Sequence, residues 1–117
     1  MLPHGHAAAD MRNLELHRVA LDKLRAFPQL TARCLELLER WLGQPECRPA
    51  LQYLGHWREM LSGWSVDRIA AVVLDPEGGQ ALRQCSPLGP ALSPQERWAV
   101  LRIVNQGIDR GAPGSHE

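Results

Sequence analysis

Lysine is nearly missing from this chain. Lys23 stands alone against twelve arginines. Basic and acidic residues balance at 13 each, so the formal net charge is zero. A surface built to hold nucleic-acid phosphates usually shows a basic excess or a basic stripe. Neither is evident here. A phosphate-binding glycine-rich loop ending in lysine is also missing, because Lys23 falls in the middle of a helical segment. Cysteine is sparse. Cys34, Cys47 and Cys85 are far apart and form no Cys-x-x-Cys pair. That spacing suggests neither a zinc site nor a dithiol redox pair. Scattered cysteines without a framework fit a reducing compartment. No apolar run approaches the roughly 20 residues needed to span a bilayer. The opening "MLPHGHAAAD" lacks the basic segment and apolar stretch of a secretory signal. The expectation is a cytoplasmic protein that does not enter a membrane.

Catalytic patterns are also lacking. No Gly-x-Ser-x-Gly element occurs, and no pair of histidines has helical ligand spacing. "DPEGG", residues 75–79, has acids and glycines without the ligand order of a calcium loop. His4 and His6 lie in a breaker-rich start with no third ligand. The chain therefore reads as a non-enzyme with no cofactor and no metal.

What is present is helical periodicity. Residues 1–12 and 111–117 read as disordered tails around one helical domain over 13–110. A first helix is expected from Asn13 to Phe27, with Leu14, Leu21, Leu24 and His17 on its apolar arc. A second is expected over 28–42, with Cys34, Leu38 and Trp41 on its apolar side. Pro49 would open a third helix, which ends near Gly63. Ser65 is the expected N-cap of a fourth helix over 66–74, apolar nearly all round and so expected at the centre of the core. A short fifth helix would follow Asp75-Pro76. "SPQE", residues 93–96, is a capping box with proline at the first helical position. It opens a last helix to about Arg110, with Val100, Leu101, Val104 and Ile108 facing inward. The stretch before it, "CSPLGPAL", reads as a rigid connector. No strand pattern competes, so the fold class is all-α: a compact bundle of five to six short helices.

Two functional signals remain. The chain has four tryptophans, Trp41, Trp57, Trp64 and Trp98, against one Phe and one Tyr. A domain of short helices can hardly bury all four, and several arginines lie near them in sequence. Tryptophan and arginine are the residues most enriched at protein–protein hot spots. Arg97, Trp98 and Arg102, then His17 and Trp41, are the candidate partner-binding residues. A large apolar anchor beside arginine forks suits a partner surface carrying carboxylates. The alternative is a small helix-turn-helix regulator built on "EMLSGWSVDRIAAVV", with Gly63 in the turn. It is not favoured. Glu59 occupies a position where close helix crossing prefers a small residue. The second helix offers chiefly Ser65, Asp67 and Arg68 to a DNA groove.

"LELHRVALDKLR", "LERWLGQP" and "LRQCSPLGPALSPQERWAVLR" together resemble a group of short bacterial proteins. That group has a Leu-His-Arg first helix and a late Ser-Pro…Leu-Ser/Thr-Pro-x-Glu-Arg-Trp element. The resemblance spans roughly residues 13–103. Leu88-Gly89 stands where the group is expected to carry an aromatic residue. The group is associated with the small partner of toxin–antitoxin-like gene pairs. The resemblance implies a helical protein, of antitoxin or immunity type, that binds and restrains another protein.

Overall fold

The computed structural model describes the backbone of residues 4–111 and the side chains of residues 8–107. The described residues form six α-helices: α1 (His4–Ala26), α2 (Leu30–Leu42), α3 (Leu51–Gly63), α4 (Val66–Val73), α5 (Gln80–Gln84) and α6 (Pro94–Gly111). Short 3-10 helices at Pro45–Ala50 and Gly89–Ala91 join them, and there is no strand among the described residues. The architecture is an all-α bundle.

The start of α1 corrects the expected tail over 1–12. The helix begins at His4, not near Asn13. Its early turns have tertiary partners: Ala8 is buried, and Asp10 accepts a hydrogen bond from Gln80 on α5. The alanines at 7–9 are the strongest helix formers, so little opposes this extension. Residues 1–3 and 112–117, and with them most of the expected C-terminal tail, lie outside the described residues, as do the side chains of His4, His6 and Ile108.

Local signals set the other boundaries. The Ser65 hydroxyl accepts from the Arg68 amide at 3.2 Å, capping α4. Ser93 and Glu96 form both bonds of the capping box, at 2.8 and 3.1 Å. The third helix starts at Leu51 rather than Pro49, since Pro49 sits inside the preceding 3-10 helix. Both of its prolines, Pro45 and Pro49, lack the amide that an α-helix interior requires.

The core is a set of stripes at helical spacing. Ala20, Leu21 and Leu24 on α1 meet Cys34 and Leu38 on α2, and Leu54, Trp57 and Met60 on α3. Burial pushes the Cys34 thiol up to about 11, consistent with an inert packing residue. The α4 helix is not central as expected. Ile69 and Val73 are buried while Ala71 is exposed, so it packs with one face at the edge of the core. The α6 helix runs antiparallel to α1. Lys23 pairs with Glu96 near one end, and Arg12 donates to Asn105 at 2.7 Å near the other. No helix among the described residues is long and apolar enough to cross a membrane.

Candidate functional site

The site is built around α5. Five residues cannot sustain a helix alone, and this one is held by three sets of contacts. The Trp57 indole Nε1 donates to the Leu82 carbonyl at 2.8 Å. Gly79, just before α5, lies against the end of α4, where a Cβ would come within 2.7 Å of the Val72 carbonyl oxygen and closer still to that of Val73. Arg83 closes the arrangement. Its Nη1 donates to the carbonyls of Val73 at 2.6 Å and Asp75 at 2.8 Å, and its Nη2 to that of Pro76 at 3.0 Å. The guanidinium is 4 % exposed and caps the negative end of α4 without a carboxylate partner among the described residues. Its Nε is buried and has no acceptor.

Beside Arg83 lies a cleft of about 180 Å³. The α1 helix contributes Asn13, Leu16, His17 and Ala20. The connector contributes Ser86, Leu88, Gly89 and Leu92, so the proline-rich stretch forms one wall. Gln84 from α5 and Arg97 from α6 complete the lining, and no acidic residue among the described ones takes part. The Arg97 guanidinium lies against Gly89, 3.5 Å from where a Cβ would stand.

His17 is 7 % exposed and tilted against Trp57, with ring centroids 6.5 Å apart. Its Nδ1 lies 2.7 Å from the Asn13 carbonyl oxygen. A carbonyl only accepts, so Nδ1 carries the hydrogen, and Nε2 is left as the bare nitrogen. Burial lowers the His17 pKa; the Asn13 bond opposes this, and the nearby Arg83 charge adds to the lowering. The ring therefore favours its neutral form. The Ser86 hydroxyl accepts from the Leu88 amide and is not bonded to His17, so the cleft contains no nucleophile–base pair among the described residues.

The five candidate residues do not form one surface. His17 and Arg97 share the cleft. Trp98 and Arg102, one helical turn apart, project from the outer side of α6, with Trp98 67 % exposed. Trp41 is half-buried and packs against the core. The other tryptophans are engaged as well. Trp57 is fully buried. Trp64 is half-buried under the Arg68 guanidinium, 3.7 Å from the ring centroid, with His56 edge-on at 5.9 Å. Arg83 is the part of the site that sequence reasoning missed. Its only signal was its place between the inward-facing Leu82 and a proline-rich link.

No protein-family model, curated protein or solved structure matches this chain.

Proposed function

We propose that this protein is a non-enzymatic helical binding module that engages another protein through the outer face of α6. One observation carries the reading. Three of the four tryptophans pack against neighbours, while Trp98 is 67 % exposed on the same helix as Ile103 at 69 %. Arg102 stands one turn from Trp98, exposed and without an ion pair among the described residues. An exposed tryptophan beside a free guanidinium is the composition of an interface anchor. The resemblance of the late Glu-Arg-Trp element supports the finer proposal that the partner is a protein held in check, as by an antitoxin or immunity protein. The helix-turn-helix alternative gains nothing from the geometry. Arg68 lies over Trp64, and Asp67 pairs with Arg25, so the polar residues of α4 are occupied within the chain.

The test is co-purification from the native cell with wild-type and Trp98→Ala protein side by side. A stoichiometric protein recovered with wild type and lost with the variant is the expected result. DNA recovered in place of a protein partner, with affinity falling steeply as salt rises, would overturn it.

A further inference from the structure

The cleft between α1, α5, the connector and α6 carries more positive charge than the fold needs. Arg83 has a structural task at the end of α4, yet its Nε remains buried without an acceptor. Arg97 holds no carboxylate among the described residues, and His17 presents a bare Nε2. No acid among the described residues lines the space to balance the two guanidinium groups. The remaining walls set an apolar cluster of Leu16, Ala20, Leu88 and Leu92 beside the neutral polar side chains of Asn13, Gln84 and Ser86.

The geometry points to a binding site for a small monocarboxylate, its carboxylate paired with the Arg97 fork beside His17 and its short apolar body seated among the leucines. This site is separate from the outer face of α6 and does not depend on a protein partner. The shape of the free donor set selects the anion. Both Nη groups of Arg83 are engaged by carbonyls, so among the described residues Arg97 offers the one free planar fork in the cleft. A planar monoanion matches one fork. A tetrahedral dianion would bring a second negative charge to that single free fork, with only the neutral donors of Asn13, Gln84 and Ser86 to meet it. Size agrees as well. An apolar cavity of roughly 150 Å³ holds one benzene, and this cleft is about 180 Å³.

Binding would also move a proton. Neutral His17 presents an acceptor at Nε2, which repels a carboxylate. The imidazolium presents a donor. One proton therefore passes from solvent to Nε2 as the anion enters. The charged groups that share the cleft with the ring are Arg83 from α5 and Arg97 from α6. The Trp57 ring from α3 and the connector bring no charge. In the empty cleft burial first, and then the Arg83 charge, disfavour the imidazolium, and a bound carboxylate opposes both.

The experiment is an NMR titration of the full chain with sodium 3-methylbutanoate, following the backbone amides of Asn13, Leu88 and Arg97. Its uncharged isostere 3-methylbutanamide and inorganic phosphate are titrated in parallel. The expected result is saturable binding of the carboxylate, with the amide weaker by about tenfold or more, as loss of a charge-assisted hydrogen bond requires. Phosphate should bind more weakly than the carboxylate. Arg97→Gln, at the exposed rim, should weaken the carboxylate by a similar factor, and Arg48→Gln, remote from the cleft, should not. Affinity should be higher at about pH 6 than at about pH 8, and His17→Gln should abolish that difference. No saturable shift, equal binding of acid and amide, tighter binding of phosphate, or an unaffected Arg97→Gln would each overturn the site. Equal affinity at the two pH values would overturn the proton uptake at His17. Arg97→Gln keeps the test decisive if the buried His17→Gln variant fails to fold.

Discussion

The indole of Trp57 and the carbonyl of Leu82 are joined by a 2.8 Å hydrogen bond across 25 residues of chain. This bond ties α3 to a helix too short to form alone. Trp57→Phe keeps most of the packing and removes the donor, leaving the Leu82 carbonyl with the longer bond from the Cys85 amide at 3.3 Å. The expected cost is about 1 kcal/mol by urea denaturation, and Trp57→Ala should cost about 3–5 kcal/mol because a cavity is added.

Two glycines should respond to alanine with opposite signs. At Gly79 a methyl group would press on the Val72 and Val73 carbonyl oxygens, so Gly79→Ala should destabilise by about 1–3 kcal/mol. At Gly55, exposed in the middle of α3, nothing lies within 4 Å of a new Cβ. Gly55→Ala should stabilise by about 0.5–1 kcal/mol through helix propensity. Thermal melts of the two variants check the contrast.

Arg83 should be irreplaceable by lysine. Its fork reaches the carbonyls of Val73, Asp75 and Pro76 at once. A single ammonium cannot reproduce that planar reach, so Arg83→Lys should lose about 1–3 kcal/mol. Hydrogen exchange should show faster opening of α4 and α5 in the variant, with α2 less affected.

Acid should weaken the fold through His17. Its folded pKa lies below the ordinary 6.5, with burial the leading cause. The unfolded chain therefore takes up the proton first. The His17 contribution is fully present above pH 6.5 and is lost as pH falls through the folded value. The urea midpoint should drop between about pH 7.5 and about pH 5, and His17→Gln should flatten that drop. A further decline at lower pH is expected from Glu96, whose carboxyl is held down by Lys23 and the Ser93 amide.

Local chemistry was legible in the sequence. The caps at Ser65 and Ser93 depend on residues three apart, and both formed as their patterns require. The stripes of α1 and α3 follow from helical period alone. Tertiary events were not legible. The early start of α1 depends on burial of Ala8 and on a bond from Gln80, 70 residues away from Asp10. The edge position of α4 was hidden because a short apolar helix looks central wherever it packs. His17 and Arg97 stood out singly, but only the fold brings them to one cleft with Arg83. Neighbours in sequence can also part company. Arg97 lies along the cleft while Trp98, the next residue, turns outward on α6.

The central claim is that Trp98 serves a partner and not the fold. It is tested most directly by measuring the affinity of the co-purified protein for wild-type and Trp98→Ala chains, alongside their melting curves. The expected result is a loss of about 2 kcal/mol or more in binding, as for an interface hot spot, with an unchanged cooperative melt. Equal affinity, or a variant that no longer melts cooperatively, would contradict it and return Trp98 to the ordinary packing of the helix bundle.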